Sequence, residues 1–159
     1  MPGNDRNDRS NRNNRNNNNR DWDIQPSKVQ TWIKEGFVEK TIDYTNEFGG
    51  FLASQGLTTN QIRNIFGEVK RLQSIVKAEK GLKSIKKDFL MLRPKLAYAA
   101  KRAGSRGIEA LKDVLGEAHK SVDTTNENAK EQFENFVDFF EAILAYHKAN
   151  GGRDSKRSF

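Results

Sequence analysis

Leu57-Thr58-Thr59-Asn60-Gln61-Ile62-Arg63-Asn64-Ile65-Phe66 is the stretch whose reading decides the fold. Thr58 and Gln61 have the spacing of a capping box, in which each side chain satisfies the other residue's unpaired backbone N–H at a helix start. Leu57 before the cap and Ile62 after it supply the two halves of a hydrophobic staple. Beyond this start Ile62, Ile65, Phe66, Val69, Leu72 and Val76 recur at intervals of three and four, the period of a helix with one buried side. At about 100° per residue, Arg63, Lys70 and Lys77 fall in one line beside that stripe.

The same period extends outward. Downstream, Leu82, Ile85, Phe89, Leu92, Leu96, Ala99 and Ala103 keep one phase across Pro94, which predicts a single helical path kinked at the proline. Lys83, Lys87, Tyr98, Lys101 and Arg102 lie opposite that stripe. An aromatic ring among cations can stack on an unpaired base or hold a guanidinium. Half-packing on a neighbouring helix with the hydroxyl wet is the commoner use of such a tyrosine, and is the reading preferred here. Gly104-Ser105-Arg106-Gly107 reads as a turn, and Ile108, Leu111, Leu115, Ala118 and Val122 as the next helix. Thr124 with Glu127 repeats the capping-box spacing before a final helix that buries Phe133, Phe136, Val137, Phe140, Ile143, Leu144 and His147, its face widened by Phe139 and Tyr146. That helix is the most apolar, which predicts a place at the centre of a bundle or at a subunit contact.

Upstream, Ser27 with Gln30 predicts another capped start, followed by a short face of Val29, Trp32 and Ile33 that stops at Gly36. Phe37, Tyr44, Phe48 and Phe51, with Val38, Ile42, Thr45 and Leu52, then form a wide stripe that Gly49-Gly50 weakens and Gly56 ends. No segment alternates with period two. The fold class is all-α, a single-domain bundle of five or six helices over residues 22–150. Residues 1–21 read as a disordered tail, since nine Asn and five Arg among the first twenty residues offer nothing to bury, and residues 151–159 as a basic flexible tail.

Charge is distributed unevenly. Residues 57–106 hold thirteen Lys and Arg against three Asp and Glu, about +10 in all. Asp21–Ile62 carries −3 and Gly107–His147 carries −6, while residues 1–20 and 148–159 add +3 each. A strongly basic block between acidic flanks points to a polyanionic partner. The chain has no cysteine, which excludes a disulfide framework and thiolate metal sites and fits a reducing cytoplasm. No apolar run approaches the roughly 18 residues of a membrane span, and no signal-peptide pattern opens the sequence.

No catalytic constellation survives scrutiny. His119 and His147 are the only histidines, and neither has the HExxH spacing or the partners of a metal site; His147 sits on an apolar face and reads as a core histidine. The carboxylates Glu127, Glu131, Glu134, Asp138 and Glu141 run along one side of the last helix and read as a solvated face. The sequence therefore predicts a protein that is not an enzyme and needs no cofactor or metal.

Three stretches carry a family resemblance: residues 57–66, Met91-Leu-Arg-Pro-Lys-Leu-Ala-Tyr-Ala-Ala-Lys-Arg102, and Phe136-Val-Asp-Phe-Phe-Glu-Ala-Ile-Leu-Ala-Tyr-His-Lys148. In this order and spacing they resemble the small subunit of type III-A CRISPR effector (Csm) complexes, over roughly Phe37 to Lys148. The resemblance implies a noncatalytic RNA-binding structural subunit in antiviral defence, stacking in copies along the guide RNA–target RNA filament. Its partners would be that duplex, chiefly target-strand phosphates, other copies of itself, and the backbone and large polymerase-like subunits. By motif position Arg63, Lys70, Lys95, Lys101 and Arg102 would contact phosphate; Lys77, Lys83, Lys87 and Tyr98 complete the candidate RNA-binding set from the basic face. The alternatives are a helical DNA-binding protein and a protein-interaction adaptor with a basic surface.

Overall fold

Helix stop and start chemistry sets the path of the chain. In a computed structural model, residues 21–79 and 81–155 are described; the first twenty residues of the Asn/Arg-rich tail, Lys80, and the end of the basic tail lie outside them. Among the described residues there are six α-helices and no strand: α1 Pro26–Glu35, α2 Glu39–Ser54, α3 Thr59–Glu79, α4 Lys86–Ala103, α5 Arg106–Lys120 and α6 Ala129–Ala149. A 3-10 turn, Lys83–Ile85, leads into α4 and holds Leu82 and Ile85 in the core just outside the helix that the sequence pattern assigned them to.

The α2–α3 corner forms where the sequence predicts, with one half of the capping box replaced: the Gln61 N–H donates to the Thr58 carbonyl at 3.1 Å. Gly56 adopts φ 77°, and the Gly56 and Leu57 N–H groups donate back to Ala53 O and Leu52 O at 3.1 Å each, the Schellman closure that a left-handed glycine permits. Thr58 N–H then donates to Gln61 Oε1 at 3.0 Å, and Leu57 and Ile62 are both buried as the staple requires. A second cap comes from far along the chain. The Thr59 and Asn60 N–H groups donate to the carbonyls of Arg153 and Asp154 at 3.0 and 3.1 Å, and the Asp154 carboxylate accepts from Thr59 Oγ1 and Lys148 Nζ. The beginning of the segment predicted as a flexible tail is thus a strap over the start of α3.

Two other predicted caps do not form. Helix α1 starts two residues early, capped at Gln25 with Pro26 in its first turn, where a missing N–H costs nothing. Ser27 is therefore inside the helix, its carbonyl accepting from Thr31 Oγ1 at 3.0 Å. Before α6, Asp123 Oδ1 takes the Thr125 N–H and hydroxyl at 3.0 and 2.7 Å, and Asn126 Oδ1 takes the Asn128 N–H at 2.8 Å. These local turns outcompete a Thr124–Glu127 box, and the helix begins only at Ala129. The turn between α4 and α5 is shorter than predicted: Gly104 at φ 63° ends α4 and Ser105 caps α5, its Oγ accepting from Ile108 N–H at 3.4 Å. Helix α4 runs unbroken through Pro94.

Helix α6 is the centre, packed by α1, α2, α3 and α5, with Phe133, Phe136, Phe139 and Phe140 all buried. Its principal partner is α2. A Cβ built on Gly49 would lie 2.6 Å from His147 N and 2.7 Å from the Tyr146 carbonyl carbon, so Gly49 is the point where two backbones meet, not a weak link in its helix. Val38 and Ile42, predicted to be covered, are exposed on the far side of α2. The chain before α1 closes on the same region, with Trp22 Nε1–H donating to Tyr44 Oη at 2.9 Å and Tyr44 O–H donating to Ile24 O at 2.8 Å.

Gly49→Ala forces the two backbones apart and is predicted to destabilise the protein by about 3 kcal/mol, the upper range for overpacking. At Gly50 an added Cβ makes ordinary contact, 3.5 Å to Asn150. Gly50→Ala is therefore predicted to be neutral or stabilising by up to about 1 kcal/mol; urea unfolding of both variants checks the contrast.

Candidate nucleic-acid interface

The basic residues of α3 and α4 do not share one face. Around α3, at about 100° per residue, Arg63, Lys70 and Lys77 occupy the flank turned toward α6. There Lys70 Nζ stands 3.9 Å from Glu141, and Gln73 Nε2 donates to Glu134 at 2.9 Å. Burial and the neighbouring Glu134 and Glu141 raise the pKa of Asp138 in this strip, against the lowering pull of Lys70 and Lys77. Arg63 and Lys77 are exposed and have no ion-pair partner among the described residues.

The opposite flank of α3 faces α4 across an open groove of about 840 Å³. Lys95, Tyr98 and Arg102 stand on the α4 side, spaced three and four apart and so in one row. Asn60, Gln61 and Asn64 stand on the α3 side, over a floor that includes Ile65, Pro94 and Ala99. Tyr98 is 69% exposed, which overturns the half-packed reading preferred from sequence. Glu68 is the groove's internal anion. It accepts from Arg71 Nε and Nη2 at 3.0 and 2.7 Å and lies 3.5 Å from Lys95 Nζ, and these hydrogen bonds and charges hold its carboxyl below the ordinary range. Arg71 also reaches Asp88 at 3.3 Å, so this guanidinium is committed within the protein.

Lys101 and Arg102 are adjacent in sequence but part company in space. Arg102 lines the α3–α4 groove, while Lys101 lines a separate hollow of about 540 Å³ with Arg106, Asp21, Glu109 and Asp113. One residue on a helix is a turn of about 100°, enough to send neighbours to different surfaces. Lys83, in the 3-10 turn, and Lys87, at the start of α4, are exposed and lie outside both hollows. Of the nine candidates, the structure gathers Lys95, Tyr98 and Arg102 into one groove, sets Arg63, Lys70 and Lys77 on another flank, and leaves Lys83, Lys87 and Lys101 elsewhere. Asn60, Gln61 and Asn64 were missed from sequence. The helical arithmetic already placed Asn64 away from Arg63, but only the approach of α4 turns that side into a wall.

Both histidines are built into the core. His147 is fully buried, with Nε2 2.6 Å from Leu57 O, an acceptor that makes this nitrogen the donor. His119 stacks on Phe89 with ring centroids 4.0 Å apart, and its Nε2 lies 2.6 Å from Phe89 O. The described residues contain no group of His, Cys, Asp and Glu placed to hold a metal ion, and no helix among them is long and apolar enough to cross a membrane.

The geometry defines a small all-helical protein that presents a polar, aromatic and cationic groove between two of its helices. The family model Csm2 Type III-A matches residues 36–153. The chain therefore belongs to that family, and is a small subunit of a type III-A CRISPR–Cas complex, a family of structural subunits working with other subunits and CRISPR RNA. The match takes in α2 to α6 and reaches Arg153 of the strap, and leaves out α1. Comparisons with curated proteins and with solved structures give no match.

Burial pushes the His119 pKa down from its ordinary 6.5 to about 4, with the nearby Arg93 charge acting in the same direction and the Phe89 hydrogen bond against it. A group whose folded pKa lies below its unfolded value binds its proton first in the unfolded chain. Stability is therefore predicted to fall as pH drops from 6.5 towards 4, the window between the two values. His119→Gln, which keeps a donor but does not titrate, is predicted to flatten that part of the profile in urea unfolding followed against pH.

Proposed function

We propose that the protein is a noncatalytic structural subunit that binds RNA backbone through its α3–α4 surface. It sits along the guide RNA–target RNA filament of a cytoplasmic type III-A complex and touches chiefly target-strand phosphates. The observation that carries this reading is the groove itself: Lys95 and Arg102 stand along one open channel in a protein whose folded flanks are acidic. Arg63, Lys77, Lys83, Lys87 and Lys101 extend the positive field around it, without a carboxylate partner among the described residues. A subunit that accepts any target needs phosphate and shape contacts, because guide pairing supplies the sequence specificity.

Assembly follows the same electrostatics. The carboxylates of α2 and α6 are not among the residues that line the groove, so successive copies can meet basic surface to acidic surface in an open, head-to-tail stack. The backbone and large polymerase-like subunits are the other neighbours in this reading.

Lys95→Ala plus Arg102→Ala is predicted to weaken single-stranded RNA binding about equally across sequences and to lower the salt slope by about 0.7 for each phosphate no longer neutralised. A changed base preference at an unchanged slope would sink the proposal. Glu68→Gln, which releases Lys95 from its internal anion, is predicted to tighten RNA binding roughly two- to fivefold. Filter binding across a salt series measures both.

A further inference from the structure

Among the described residues the Tyr98 side chain makes no hydrogen bond and packs on no other aromatic ring. It is the most exposed large hydrophobic side chain among the described residues, 69% accessible, whereas the other two tyrosines are a buried one and a half-buried one. Exposing a ring of this size forgoes the burial that aromatic side chains ordinarily supply. Its setting is also specific. Arg102 lies one helical turn beyond it on the same row and Lys95 just under one turn before it, both against the same groove. Across the channel stand the amides of Asn60, Gln61 and Asn64. Gln61 Oε1 is taken by the Thr58 N–H, which leaves the Gln61 amide N–H groups for a ligand, while the side chain of Asn64 has no hydrogen-bond partner among the described residues.

We propose that this groove is a seat for a nucleotide whose base is out of its stack, with the base lying on Tyr98, its phosphates on Arg102 and Lys95, and its edge within reach of the amides on α3. This rests on the RNA-binding reading above and adds the state of the nucleotide that Tyr98 takes: one whose base is unpaired, beside phosphate contacts that paired and unpaired RNA can both make. Three features select that occupant. A π-face accepts any base, so stacking fits a subunit that must tolerate every target sequence. A base held in a duplex presents no face to a side chain, so Tyr98 gains nothing from paired RNA. The flanking cations discourage the other ligand an exposed tyrosine can hold, a lysine or arginine of a partner protein, because they repel it from the ring. The groove volume, about 840 Å³, is also ample for one nucleotide with solvent around it.

The test uses the full chain and an RNA of about 12 nucleotides carrying one 2-aminopurine, either alone or paired with its complement. Tyr98 is on the surface, so its variants keep the fold, which an unchanged melting temperature verifies. Tyr98→Ala is expected to weaken binding of the single strand about tenfold or more and to abolish the 2-aminopurine quenching, with the salt slope unchanged. Tyr98→Phe keeps the platform and is expected to stay within about twofold of the parent protein. Duplex binding is expected to be indifferent to both. The inference is overturned if Tyr98→Ala leaves single-strand binding intact, or weakens duplex and single strand alike. Lys95→Ala plus Arg102→Ala separates the two levels: a lowered salt slope beside an inert Tyr98→Ala removes the base seat and leaves phosphate binding standing. An unchanged slope removes both.

Discussion

The close meeting of α2 and α6 at Gly49 is the constraint on which the rest of the structure depends. No side chain fits between the α2 backbone at Gly49 and the backbone of Tyr146 and His147, so the two helices meet there backbone to backbone. That approach brings the end of α6 against the α2–α3 corner. There the buried His147 ring donates to the Leu57 carbonyl, and Gly152 lies so close to the ring that an added Cβ would overlap it. The chain leaving α6 is thereby steered across the start of α3, where the Arg153 and Asp154 carbonyls satisfy the Thr59 and Asn60 N–H groups. Since α3 is one wall of the groove, the placing of that wall traces back to a glycine on the preceding helix.

The electrostatics follow from the same packing. Helix α3 has two exposed flanks on either side of its apolar stripe, and each meets a different neighbour. Toward α6 its lysines face Glu134, Asp138 and Glu141, and part of their charge is neutralised inside the protein. Toward α4 the carboxylate of Glu68 ties Arg71 and Lys95 into one cluster and fixes the spacing of the two walls. A basic block of about +10 thus becomes a groove with a few directed cations and one aromatic ring, flanked by paired charge. Exposed ion pairs of this kind contribute little stability, so their weight lies in positioning and in the field that a polyanion meets.

How much was legible in the sequence can be told residue by residue. The stripe from Ile62 to Val76 and the Phe133–Leu144 face were readable because a helix with one buried side repeats with its own turn, whatever covers it. The Thr58–Gln61 start was readable because capping is a local bond between residues three apart. Ser27 and Thr124 misled for the same local reason, since Pro26 and Asp123 are nearby competitors whose offers happen to be better. Gly49 misled for the opposite reason. Its value is a contact with residues almost a hundred positions away, and alone it looks only like a poor helix former.

The sequence by itself determined the helices, their buried sides, the family and the amount of positive charge, because each is written in residue types at short spacing. Only the tertiary structure decided which cations share a surface. Lys101 and Arg102 are neighbours in the chain yet face different hollows, while Arg102 and Asn64, far apart in the chain, face each other across one groove. Helix phase says which way a side chain leaves its own axis. Whether it then meets a wall, an acid or open water depends on where the other helices lie, and that is settled by packing around α6.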